Sequence, residues 1–210
     1  MIIFICLISL NIFAQRVTTN NKLIIKHGDI VLYLTKDTCT MLSKHTLTYD
    51  KFLKLNTVTR SNKWFDDTYK GKYLKKYYAN NDYDLGHLTP SHITTYDRIT
   101  NDKSFSMFNA SPQLHKFNIQ SWNNLEEKVE NIIRENESKS IIITGVIYSP
   151  YKKFLPNSRI PIPTYYFKVL YVNKKVFAWI GDNATGFIKT TTINDLNVLF
   201  KQYKQGLKIY

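Results

Sequence analysis

Between Asp84 and Glu126 the chain concentrates side chains that could act on a charged substrate. His87 follows a glycine in Tyr83-Asp84-Leu85-Gly86-His87-Leu88, and glycine lets another backbone or a ligand come close. An imidazole there can take or give a proton near neutral pH. Further on, Asn118, Trp122 and Glu126 recur at steps of four. On a continuous helix each such step turns by about 40°, which keeps all three near one face. An amide oxygen and a carboxylate on one helical face, near a histidine, suit a hard cation such as Mg²⁺, or Mn²⁺ in its place. Taken singly, each residue has an ordinary role. His87 could be a hydrogen-bonded core residue, Asn118 a helix start, and Glu126 a charge favoured near a helix N-terminus. Their joint order is what points to chemistry.

Regular elements must hold these groups. Leu23-Ile24-Ile25 and Ile30-Val31-Leu32-Tyr33 flank Lys26-His27-Gly28-Asp29, which predicts two strands and a tight turn. Trp122, Leu125, Val129, Ile132 and Ile133 fall at helical spacing, with Ser121 as the expected cap. The β-branched run Ser140 to Ile147 predicts a buried strand. Tyr165 to Val172 and Val176 to Ile180 predict two more, joined at Asn173-Lys174-Lys175. A last helix is expected from Ile193 to about Tyr203, opened by Thr192. Residues 36–80 mix Lys, Tyr and Asn without a clear period, including the Tyr-Lys alternation that starts at Tyr69. No repeat or long linker divides the chain, so the pattern reads as one α+β domain over residues 16–210.

Composition narrows the class. With 43% hydrophobic and 21% charged residues in 210, the chain is too apolar for disorder and long enough for a core without staples. A disulfide miniprotein, a collagen-like fibre and a multi-span membrane protein are excluded. The net charge of +13 favours an anionic partner, with nucleic acid and an anionic membrane surface as candidates. Residues 1–15 carry no charge and hold the apolar run Ile2 to Ile8. That is short of the roughly 20 apolar residues of a membrane span but similar to a secretory signal. The expectation is therefore a secreted or periplasmic protein without stable membrane insertion. Removing the segment takes Cys6 and leaves Cys39, expected to be a small packed residue.

The central motifs together resemble the DNA/RNA non-specific endonuclease family, the ββα-metal or His-Me finger nucleases. That family shows Asp-Arg-Gly-His-Leu, then Asn-x-x-Pro-Gln, then Asn-x-x-x-Trp-x-x-Leu-Glu. Here Asp84-Leu85-Gly86-His87-Leu88, Asn109-Ala110-Ser111-Pro112-Gln113 and Asn118 to Glu126 stand in the same order. Upstream, Arg60-Ser61-Asn62-Lys63-Trp64 with Asp66 or Asp67 is similar to the family's Arg, aromatic and Asp.

The resemblance implies a central antiparallel sheet flanked by helices and a Mg²⁺-dependent endonuclease of low sequence preference. Its substrate would be DNA, with RNA a second candidate, and its products would carry 5′-phosphate ends. It assigns catalytic positions to His87, Glu126, Asn109 and Arg60, and the metal position to Asn118. His87 would be the general base, Asn118 the direct ligand, and Glu126 the acceptor for metal-held water. Asn109 and Gln113 would brace the site, and Trp122 would pack the helix against the hairpin. One departure stands out: Leu85 replaces the family's Arg. Arg60, Arg98 and Lys116 are candidate substitutes. The alternative reading is an impaired module that binds nucleic acid without cleaving it, and a membrane-surface protein is a third. Oligomeric state stays open, a homodimer being compatible.

Overall fold

The computed structural model describes residues 17–19, 23–35, 39–66 and 75–210. The signal-like segment 1–15 with Cys6, together with Asp67 and the stretch from Tyr69 to Leu74, lies outside the described residues. In chain order the strands begin with β1 (Val17–Thr19), β2 (Leu23–His27), β3 (Ile30–Leu34) and β4 (Thr40–Leu47). The short helix α1 (Tyr49–Leu53) comes next, then β5 (Tyr83–His87), α2 (Arg98–Ser104) and β6 (Ala110–Leu114). A π-helical turn at Phe117–Trp122 runs into α3 (Asn123–Asn136). The chain continues through β7 (Ser140–Ile147), β8 (Lys153–Phe154), β9 (Pro161–Ile162), β10 (Tyr165–Val172) and β11 (Lys175–Asp182). It ends with β12 (Ile188–Thr191), α4 (Ile193–Gln202) and β13 (Leu207–Ile209).

Seven strands form one antiparallel sheet in the order β12-β11-β10-β7-β4-β3-β2. The centre of that sheet is buried on both faces, which is why β7 and β10 read as continuous apolar runs. Alternation sorts their side chains. Ile142, Val146, Tyr166 and Leu170 join the cluster with Trp122, Leu125 and Val129 of the helix after β6. Ile141, Ile143, Phe167 and Val169 pack on Leu196 and Phe200 of α4. A sheet with helical layers on opposite faces is an α+β architecture.

Local signals explain most boundaries. Gly28 at φ +59° makes the β2–β3 turn, and Asn173 and Lys174 at φ +45° and +61° make the two-residue β10–β11 turn. The Thr192 side chain accepts a hydrogen bond from the Asp195 backbone N–H and caps α4. The expected cap at Ser121 does not occur. The helix starts earlier, because the Phe117–Trp122 turn already continues it with i→i+5 bonds, and Ser121 sits inside. Cys39 is buried, as a small apolar residue would be.

The β5–β6 hairpin lies outside the large sheet as a two-stranded unit. Asn183, just past the end of β11, ties it down: its amide donates to the carbonyls of Pro112 and Pro163, and its Oδ1 accepts from the Leu114 N–H at 2.9 Å. Gly86 is required by a close approach. A Cβ there would stand 2.6 Å from Gln113 Cβ, a clash that a side-chain end cannot relieve. Gly86→Ala should therefore destabilise the protein by about 1–3 kcal/mol, the usual cost of overpacking. Urea denaturation of both forms checks this, and an unchanged midpoint would contradict it.

Candidate active site

His87 is the last residue of β5, opposite Ala110 of β6. The backbone beyond His87 is held by Asn109, which is fully buried. Asn109 Oδ1 accepts from the Thr89 N–H at 3.0 Å, while Nδ2 donates to the carbonyls of Thr89 at 2.9 Å and Ser104 at 2.8 Å. The Asn109 carbonyl also accepts from the Leu88 N–H. With its amide wholly engaged by backbone, Asn109 fixes the path just after His87 and positions the site rather than touching a reacting atom.

The imidazole of His87 sits in an aromatic notch. Its ring lies 4.4 Å from Trp64 and 4.9 Å, edge to face, from Phe105. Nε2 is enclosed and meets no hydrogen-bond partner among the described residues. Burial, reinforced by the positive charges of Arg60 and His92, lowers the His87 pKa to about 3, so the ring is neutral at neutral pH. Arg60 lies on the same aromatic group, its guanidinium carbon 5.0 Å from the Phe105 ring centroid. Arg60 Nε donates to Ser91 Oγ at 2.6 Å, and its Nη1 donates to Asn62. Of the three cations weighed as substitutes for the family's Arg, Arg60 is the one brought beside His87. Arg98 pairs with Asp102 on α2 instead, and Lys116 is exposed. Leu85, two residues before His87, shares its face of β5 and packs on the main core.

Asn118 is fixed from the same strand. Its Nδ2 donates to Asp84 Oδ2 at 2.9 Å, and Asp84 also accepts from His115 Nδ1 at 3.0 Å. This bond leaves Asn118 Oδ1 without a protein donor among the described residues. Asp84 and His87 are three residues apart on β5, about 10 Å of strand, and alternation puts them on opposite faces, so one hairpin anchors both groups without turning them toward each other.

The residues after Asn118 are arranged differently from the expectation. The π turn changes the phase of the helix, and Asn118 turns to β5 while Trp122 and Glu126 face the large sheet. Trp122 packs on Phe117 and Tyr166, each 5.4 Å away between ring centroids, and so braces the helix on the sheet rather than on the hairpin. Glu126 Oε1 lies 3.4 Å from Lys168 Nζ, which also donates to Thr144 Oγ1 at 2.8 Å and sits 5.0 Å over the Trp122 ring. Burial pushes Glu126 up and Lys168 down, and each charge partly opposes the shift of the other. Next to this pair, His92 is bonded to Glu130. Burial works against the charged imidazole there, but the bond and charge of Glu130, together with Glu126, raise the His92 pKa overall.

Lys168 and His92 were missed as site residues by the sequence reading. A lone cation inside the apolar strand Tyr165–Val172 was the available signal for Lys168. His92 carried none, since its partners come from a helix far along the chain.

Among the described residues no three His, Cys, Asp or Glu side chains converge as a metal cage. A cation held by Asn118 would rest on one amide oxygen and on water. That donor set fits Mg²⁺, which keeps several waters, and is foreign to the nitrogen and sulfur ligands of structural zinc.

Comparison with known proteins bears on the family and the fold. Residues 9–205 match the family model for DNA/RNA non-specific endonucleases. The chain is 27% identical over 103 residues to human mitochondrial endonuclease G, which is 44% of this chain and 34% of that protein. It is 30% identical over 117 residues to the Caenorhabditis elegans mitochondrial endonuclease G, 50% of this chain and 38% of that one. The matched region thus spans little more than a third of these relatives. A solved structure of the EndoG/EndoGI complex superposes with a TM-score of 0.69 at 19% identity, covering 83% of this chain and 82% of that one, a likeness of fold.

The lowered His87 pKa has a consequence for stability. Between about pH 6.5 and pH 3 the unfolded chain binds a proton at His87 that the folded chain refuses, so stability is full above that window and falls with pH inside it. Buried His45, lowered to about 4, acts in the same direction. The His87→Asn variant should show a shallower loss of stability from pH 6.5 to pH 4, measured by urea denaturation. An equal slope in both forms would contradict the assignment.

Proposed function

Because the chain belongs to the DNA/RNA non-specific endonuclease family, we propose that it hydrolyses phosphodiester bonds of DNA with Mg²⁺, and RNA as a second substrate. The observation that carries this reading is the hairpin that seats a neutral imidazole, His87, and orients the Asn118 amide through Asp84. His87 takes the proton of the attacking water. Its Nε2 is enclosed by protein, so Nδ1 is the nitrogen assigned to that task. Asn118 Oδ1 would hold Mg²⁺, which, when bound, supplies positive charge to the phosphoryl and leaving oxygens. Glu126, paired with Lys168 on the sheet side of the helix, is assigned the role of bracing that helix and with it Asn118, not of meeting water at that position. Arg60 contributes a cation for the substrate phosphate, and Asn109 keeps the backbone after His87 in place. The net charge of +13 supports sequence-independent, salt-sensitive binding to the phosphate backbone.

Location in a secreted or periplasmic space belongs to the same proposal, supported by the apolar run at residues 1–15. Among the described residues no helix is long and apolar enough to cross a membrane.

The purified protein should nick supercoiled plasmid with Mg²⁺ and stop when a chelator is added. His87→Ala should lower the rate by about 10²–10⁴, the usual contribution of a general base. A wild-type protein that binds plasmid without nicking it would replace this reading with the impaired-module one.

Leu85 gives the second test. It lies on the His87 face where the family has a cation, and removing one donor to transition-state charge commonly costs about 10²–10³. Leu85→Arg should therefore raise the nicking rate. An unchanged or lower rate would mean that Arg60 already serves that place.

A further inference from the structure

His92 belongs to the cluster around Glu126, and the proposed reaction leaves it without a task. It stands in the turn after β5, five residues past His87, and its Nε2 is bonded to Glu130 Oε1 of α3. Glu130 lies twelve residues, about three helical turns, beyond Asn118. The bond therefore joins the segment that carries the base to the helix that carries the amide. Ser91, the neighbour of His92, draws Arg60 to the same place. Its Oγ accepts from Arg60 Nε at 2.6 Å, and its carbonyl accepts from Asn101 Nδ2 at 2.8 Å. Apolar packing alone does not set how the two segments meet. Ile93 shares a core cluster with Val129 and Ile133 of α3, but such contact holds surfaces together without direction. Hydrogen bonds supply the direction. The Asp84–Asn118 bond by itself would act as a pivot, and the His92–Glu130 bond, farther along the helix, removes that rotation.

Charge decides the form of the imidazole. The cleft that His92 lines also holds Glu126 and Glu130 from α3 and Lys168 from β10. Two carboxylates face one ammonium there, and Lys168 is engaged with Glu126 at 3.4 Å. Glu130 is left with His92, so the four groups balance only when the imidazole is charged. Nearby cations do not supply that balance. Arg60 is held on Ser91 and Phe105, His87 is neutral, and Arg134 of α3 lies over the Phe52 ring. Burial opposes a charge on His92, yet the bond and charge of Glu130, with Glu126, raise its pKa above the ordinary 6.5.

We propose that His92, as an imidazolium bonded to Glu130, is a positioning residue that keeps the His87 and Arg60 side of the site in working register with the Asn118 helix. It touches neither substrate nor metal and acts through the helix. The inference rests on the nuclease reading above and adds a control on its geometry. The stabilisation from a raised histidine is complete below the unfolded value of 6.5 and is lost as pH rises through the higher folded value. The register should therefore fail on the alkaline side. His87 does not titrate there, since its own change falls at about pH 3.

The test follows steady-state cleavage of a DNA duplex with Mg²⁺ from about pH 6 to about pH 9, the range that spans a raised histidine. The wild type should lose kcat on the alkaline side with KM nearly unchanged. His92→Gln keeps a hydrogen-bond donor without the charge. It should lower kcat about 10- to 100-fold near pH 6, the scale of a small misplacement of reacting groups, and abolish the alkaline fall. His92→Lys keeps the charge throughout and should recover most of the rate without that fall. A residue that served stability alone would leave the shape of the profile unchanged. A second measurement needs no cleavage. NMR titration of the His92 ring, identified by its absence from His92→Gln, should give a pKa above 6.5 that drops in Glu130→Gln. If His92→Gln keeps the wild-type kcat and profile, or the ring titrates at or below 6.5, the proposal is overturned and the nuclease reading stands. If the wild type cleaves at no pH, the nuclease reading falls and the positioning role with it, whatever the ring titration gives.

Discussion

A carboxamide offers a cation only one of its two ends, and here a single hydrogen bond decides which. Asp84 accepts from Asn118 Nδ2, so the oxygen end is left for a ligand. The carboxylate is partly exposed, so this bond adds little to overall stability. Its importance is orientation. It also joins the helix to the strand that carries His87, and everything proposed for the site assumes that link.

The hairpin and the large sheet divide the work of support. Asn109, with its amide fully engaged by backbone, sets the course of the chain after His87. Asn183 holds the hairpin to the end of β11. Under the helix, Lys168 and Glu126 form a buried pair next to the His92–Glu130 bond. Removing either partner of such a pair would strand a charge in an apolar setting, so the group acts as a unit. The proposed site is thus built on polar residues whose partners are mostly inside the protein, which limits how far its members can move.

His87 illustrates how packing sets chemistry. A free imidazole would be partly protonated near neutral pH and unable to accept a proton in that form. Trp64 and Phe105 enclose the ring, and the cations Arg60 and His92 add to the cost of a further positive charge. A base made neutral in this way is weak but always available. The compensation has to come from the electrostatics around the phosphate, where Leu85 removes one of the family's usual cations.

The sequence by itself determined the β2–β3 pair, the buried runs of β7 and β10, the last helix with its Thr192 cap, and the order of the His, Asn and Glu motifs. These arise from period, turn residues and capping, which act between near neighbours in the chain. Only the tertiary structure decided that the helix opens with a π turn and that Asn118 and Glu126 therefore serve different surroundings. The same is true of the Lys168 partner for Glu126 and of the placing of Arg60 at His87 through Phe105. Each depends on side chains brought together from distant segments, and spacing along the chain carries no record of such encounters.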